Sequence, residues 1–224
     1  MLTELRRYHI LPGQMDAMHA RMEHMLLPMF RDHGIPAPAM MWENREETSI
    51  FSWLVEWPDF DRRQAGWASI APSFAEARRA EGTPEFVTRT DLTLIAPWPG
   101  HALRFDDGAA RAGDCETAWH IQPKIGFGAS FMNLCEEGLF ALFREMGASS
   151  VKAASHVFGP LPKATLFIGW PDRNIRAEGM RQLAGHIMPD ALAQALLGDG
   201  PSLGNRGLWE PLDRAPYLPG RRGD

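Results

Sequence analysis

Glu4, Arg6, Tyr8, His9 and His24 place, on one strand and the helix that follows it, the groups that acid–base and oxyanion chemistry require. Thr3 to Leu11 alternates in the manner of a strand, which sets Glu4, Arg6, Tyr8 and Ile10 on one face and Leu5, Arg7 and His9 on the other. Histidine exchanges protons near neutral pH, so His9 or His24 is the candidate proton acceptor. Arg6 and Tyr8 are the candidates to hold an oxyanion. Glu4 beside Arg6 is most simply an ion pair on one sheet face, and is also a candidate ligand contact.

From Gln14 the period becomes helical, and Met15, Met18, Met22, Met25 and Met29 draw one stripe at spacings of 3, 4, 3 and 4. Flexible, polarizable thioethers mould to flat apolar molecules. Met18, Met22 and Met25, with Trp53 and Glu4, are therefore candidate ligand-binding residues. The same stripe is also what a helix needs in order to sit on a sheet, and Trp53 and Trp57 also suit a core.

Other chemistries find little support. His19 and His24 lie about 140° apart around a helix and cannot share one ion, so no metal site is expected. There is no nucleophile elbow and no phosphate loop, and Gly126-Phe127-Gly128 lacks the third glycine of a dinucleotide fingerprint. Cys115 and Cys135 fit neither metal nor redox spacing and are expected to be reduced thiols. The net charge of −5, with basic and acidic residues interleaved, argues against nucleic acid as a partner. No apolar run is long enough for a membrane span, and a strand-like segment directly after Met1 leaves no room for a leader, so a cytoplasmic protein is expected.

The elements that must position these groups occur twice. Trp57-Pro58-Asp59, Arg63 and Gly66 return as Trp170-Pro171-Asp172, Arg176 and Gly179, each 113 positions later, and Phe30 to Gly34 returns as Phe143 to Gly147. Tyr8-His9-Ile10 resembles Trp119-His120-Ile121 at an offset of 111. The first copy reads as a strand to Leu11, a helix to His33-Gly34 kinked by Pro28, and strands at 39–44 and 49–57 about the turn 45–48. A helix over 61–80 interrupted by Pro72 and a strand over 86–96 complete it. The second copy reads as strands at 117–122, 151–158, 163–170 and 206–210, with helices over 128–146 and from 174 to about 197. The order βαββαβ predicts an α+β fold of two tandem ferredoxin-like units, over 1–99 and 114–212, with a linker at 100–113 and a tail at 213–224. Their uncovered sheet faces would pack together as a pseudo-symmetric barrel.

Glu4-Leu5-Arg6 with Tyr8, Pro12-Gly13, Leu27-Pro28 to His33-Gly34, Trp53 and Trp57 with Arg62-Arg63, and Phe86-Val87 to Ile95-Ala96-Pro97 together resemble a NIPSNAP-family domain of the dimeric α+β barrel superfamily. The resemblance covers residues 1–99. It implies a cavity between sheet and helices, and an enzyme of monooxygenase, cyclase or isomerase type acting on a small apolar or aromatic molecule with no bound organic cofactor. Pairing into a homodimer is allowed. A non-catalytic binding protein is the rival reading, and a haem protein with His24, His120 or His156 as axial ligand is a third.

Overall fold

The computed structural model describes residues 2–45, 49–82, 84–103, 115–158, 163–196 and 207–215. The hairpin tip at 46–48, most of the expected linker and the tail beyond 215 lie outside them. The chain divides into two compact units, Met1–Leu94 with Arg214–Asp224, and Ile95–Asp213.

In the first unit, β1 (Leu2–Ile10), β2 (Met40–Asn44), β3 (Ile50–Trp57) and the start of β4 (Val87–Pro97) form antiparallel neighbours in the order β4-β1-β3-β2. The register Arg6↔Trp53 and Tyr8↔Phe51 puts Glu4, Arg6 and Tyr8 on the helix-covered face, and Arg7 and His9 on the other. The first helix runs as α1 (Met15–Arg21), one π-helical turn (Met22–Leu26) and α2 (Leu27–Asp32).

That π turn redirects the methionine stripe. A π turn takes up an extra residue, so the buried face advances by one position beyond it. Met15, Met18 and Met22 are buried as the spacing requires, but Leu26 and Phe30, rather than Met25 and Met29, continue the buried row. The second unit has a π turn at the matching place, Cys135–Leu139, where the counterpart of Pro28 is Ala141. Proline is thus not its cause. Pro28 sits in the first turn of α2, where its missing N–H is tolerated.

Helix α3 (Phe60–Glu81) is capped by the Asp59 carboxylate, which accepts from Arg62 N at 2.7 Å, and ends at Gly82 in the left-handed conformation. It runs unbroken through Pro72, contrary to the sequence expectation. Pro72 and Ala68 both face outward, so water can take the carbonyl that the proline leaves unbonded.

The second unit holds β5 (Cys115–Ile121), α4 (Gly128–Leu134), the π turn, α5 (Phe140–Glu145), β6 (Ser150–His156), β7 (Ala164–Trp170), α6 (Arg173–Gly185), α7 (Asp190–Ala195) and β8 (Leu208–Arg214). Its strands lie in the order β8-β5-β7-β6, with Ile95–Pro97 antiparallel to β6. Leu2 pairs with Trp57, and Cys115 pairs with Trp170, so one offset of 113 holds from the first strand onward. Glu4 therefore corresponds to Thr117, Arg6 to Trp119 and Tyr8 to Ile121. The match of Tyr8-His9 to Trp119-His120 is corrected by two residues. A slip of two keeps every side chain on its own face, which is why residue types alone did not reveal it.

Packing explains the repeated motif. Both tryptophans end a strand buried, at 2% and 0% exposure, and the glycine nine residues on lets the next helix approach the indole. A Cβ on Gly66 would lie 2.9 Å from the Trp57 ring, and one on Gly179 would lie 2.5 Å from the Trp170 ring. Gly179→Ala is expected to lower unfolding free energy by about 1–3 kcal/mol through overpacking, despite alanine's better helix propensity. Gly66→Ala should cost less. Urea unfolding of the pair checks this, and an unchanged or raised midpoint for Gly179→Ala contradicts it.

Candidate functional site

A cavity of about 480 Å³ lies in the first unit, with Arg6 and Tyr8 of β1 on its wall. Met18, Leu26 and Phe30 close it from the first helix, and Trp67, Ile70 and Phe74 from α3. Its polar groups are few: besides Arg6 and Tyr8 they are Arg21, Glu85 and Thr90. An apolar, aromatic chamber with a small polar set is the usual form of a small-molecule site.

Beneath Arg6 lies a buried charge network. Glu4, with 0% of its side chain exposed, accepts from Arg6 Nε at 2.5 Å and Arg63 Nε at 2.6 Å, and from the indole N–H groups of Trp57 and Trp67 at 3.1 and 3.2 Å. Burial would raise the Glu4 pKa, but the Arg6 charge and the hydrogen bonds of Arg63, Arg6 and Trp67 outweigh it and hold the carboxyl below its ordinary value. Arg6 is kept charged in the same way: burial pulls its pKa down, and Tyr8 and Glu4 more than reverse that. Its guanidinium lies 3.7 Å from the Trp67 ring centroid and donates to the Tyr8 hydroxyl at 3.4 Å. Two guanidiniums share one carboxylate, so the network carries a net charge of about +1 beside an apolar chamber.

The remaining sequence candidates are placed elsewhere. Trp53 is fully buried, stacked on Phe30 at 5.3 Å, and Met22 is core. His9 lies on the opposite face of β1, hydrogen-bonded to Asp91 at 2.8 Å. His24 is exposed and, with Met25, lines a neighbouring groove of about 570 Å³ that shares Arg21 and Glu85 with the cavity. The π turn carries both outward. The cleft expected for His9 and His24 is thus corrected: no histidine lines the cavity among the described residues.

Arg21, Arg63, Trp67, Phe74 and Glu85 were not among the site residues expected from the sequence. Arg21 had a signal, being a cation within the buried methionine stripe between Met18 and Met22. Arg63 had another, since it recurs as Arg176.

Among the described residues the second unit has no cation in the place of Arg6. Trp119, in the place of Arg6, is fully buried and stacks on Trp209 at 4.4 Å with 7° between planes. On the sheet face away from that unit's helices, the Thr165 hydroxyl bonds both His120 Nδ1 and His156 Nε2 at 2.9 Å, and His120 Nε2 meets Glu210 at 3.3 Å. Burial, with His120 and Lys163 nearby, pushes the His156 pKa down to about 4. His120 and His156 are tied into this hydrogen-bonded chain.

Cys115 and Cys135 are free and buried. Burial raises both thiol pKa values, that of Cys115 to about 11, so neither is a ready nucleophile. No group of three histidine, cysteine or carboxylate side chains has metal-binding geometry among the described residues, and no described helix is long and apolar enough to cross a membrane.

No family model matches the chain, and no curated protein does. Solved structures do. An anthrone oxidase-like protein aligns with a TM-score of 0.62 at 10% identity, over 96% of this chain and 91% of its own. A protein of Lactobacillus acidophilus NCFM provisionally named a monooxygenase aligns at 0.57 and 7%, over 95% and 93%. A Fusobacterium nucleatum subsp. nucleatum ATCC 25586 protein, also provisionally named a monooxygenase, aligns at 0.57 and 8%, over 95% and 91%. At such identities the likeness bears on architecture alone: the chain shares the α+β architecture of these proteins, with two ferredoxin-like halves in tandem.

Proposed function

We propose that this protein is an oxygenase-type enzyme, working without a bound organic cofactor on a small, flat aromatic molecule that can ionise at an oxygen. The observation that carries the reading is the cavity, whose aromatic walls meet the net positive Arg6–Glu4–Arg63 network at one place. The architecture shared with an anthrone oxidase-like protein supports it. The NIPSNAP-like residues of the first half belong to the same reading, since Glu4, Arg6, Tyr8 and Trp53 are all part of this site or its support.

The chemistry needs little from the protein beyond orientation and charge. A ring ketone that enolises becomes an electron-rich oxyanion, and the Arg6 guanidinium and Tyr8 hydroxyl stabilise that anion and lower the pKa of its acid form. The proton leaves to water at the rim beside Glu85. The oxyanion passes an electron to O2, the radicals combine at carbon, the resulting peroxide takes a proton back from water, and loss of H2O leaves a new carbonyl. One O2 thus gives one C=O and one H2O, while the substrate loses two hydrogens. Met18, Phe30 and Trp67 keep bulk water from the reacting carbon.

The absence of histidine from the cavity wall among the described residues favours one rival, a binding protein without turnover. Anthrone separates the two. With chelator-dialysed protein at neutral pH, oxygen uptake above the uncatalysed rate, one O2 per anthraquinone formed, is the expected result. Saturable quenching of tryptophan fluorescence by anthrone with no excess oxygen uptake establishes the binding protein instead.

A further inference from the structure

We infer that Arg21 reads a second oxygen of the bound molecule, so that the ligand of this cavity is a flat aromatic with oxygen at two ends: an anionic oxygen for Arg6 and Tyr8, and a neutral carbonyl or hydroxyl oxygen for Arg21. The inference rests on the reading of the cavity as an aromatic site and specifies its substrate class.

Arg21 occupies a position on the helix stripe that is otherwise apolar, and its counterpart in the second unit is Leu134. Its side chain is 2% exposed and belongs to the walls of both the cavity and the adjoining groove. The guanidinium lies 3.7 Å from the Phe86 ring centroid, while Nη1 donates to Glu85 at 2.8 Å and Nη2 to Glu81 at 3.5 Å. Glu85 is itself anchored by the backbone N–H groups of Phe86 and Val87 at 2.9 and 2.8 Å, so the arginine is held in place from below. Its Nε is buried and has no hydrogen-bond partner among the described residues.

A buried N–H without an acceptor carries its full desolvation cost, and that cost disappears when a ligand oxygen meets it. Charge then decides what kind of oxygen. Arg21 and Arg78 face Glu81 and Glu85, two cations against two anions, so this end is neutral and does not call for a second anion. At the other end Arg6 and Arg63 share Glu4 alone, and the surplus positive charge selects an oxyanion. One end is therefore suited to an ionised oxygen and the other to a neutral acceptor.

Two probes test this: 2-naphthol, with one oxygen, and 2,6-dihydroxynaphthalene, with oxygens at opposite ends, titrated against tryptophan fluorescence. Wild type is expected to bind the dihydroxy probe about tenfold more tightly, the value of one hydrogen bond to a charged donor. Arg21→Met should bring the two probes to equal affinity, and because both are read in one variant, a general loosening of the fold cancels from the ratio. Equal binding in wild type overturns the inference, as does a preference that survives Arg21→Met. If the variant does not fold, the wild-type ratio still decides. If neither probe binds wild type, the aromatic reading of the cavity falls and this inference falls with it.

Discussion

Glu4→Gln is expected to destabilise the protein by about 3–5 kcal/mol, the cost of breaking a buried ion network by removing one partner. All four groups around the carboxylate are donors: Arg6, Arg63, Trp57 and Trp67. A glutamine amide turns its own N–H groups toward some of them and leaves two guanidiniums without a counter-charge. The loss reads out as a lowered urea midpoint at neutral pH. A cost under about 1 kcal/mol would mean that water already compensates these groups.

The same carboxylate predicts a pH effect. Its folded pKa is lowered, so its contribution to stability is complete above the ordinary carboxylate value of 4.5 and is lost as pH falls through the folded value. Wild type should lose stability on acidification, and Glu4→Gln should lose less over the same window. Glu43, Glu85 and Asp91 are lowered too, against the opposing pull of burial, by hydrogen bonds from His19, Arg21 and His9 respectively, so the variant's slope is reduced rather than flat.

How far the sequence carried depended on which signals are local. The 113-residue repeat was legible because Trp57 and Gly66 touch, so the motif records one packing event that both units need. Asp59 and Asp172 repeat with the tryptophans because each caps the helix that follows it. The faces of β1 followed from strand alternation, which put Arg6 and Tyr8 together and His9 opposite. What remained hidden was non-local or non-periodic. A π turn leaves no mark in a 3-4 spacing, so Met25 and His24 were credited to a wall that Leu26 and Phe30 occupy. The register slip between Tyr8 and Trp119 was invisible to residue matching, and only strand pairing showed that a tryptophan stands where Arg6 would be. Glu85 is 64 residues from Arg21, and no sequence pattern connects the two.

The largest functional effect is expected at Arg6. Arg6→Met removes the cation that faces the chamber, and loss of one preorganised oxyanion donor typically costs about 10²–10³ in turnover. Binding of an anionic aromatic such as 1-naphthoate should weaken at least about tenfold, the value of one charge-assisted contact. Naphthalene, which has the same ring and no charge, should bind wild type and variant alike, because the walls of Met18, Phe30 and Trp67 are untouched. That neutral arm separates loss of recognition from loss of fold. Glu4 keeps Arg63 and both indole donors in the variant, so folding should suffer less than in Glu4→Gln. Tyr8→Phe is the milder companion, since the phenol is a single neutral donor on the same face. If Arg6→Met binds 1-naphthoate and oxidises anthrone as wild type does, then the guanidinium over Trp67 is a structural cation–π contact, and the positive charge beneath the cavity serves only to neutralise Glu4.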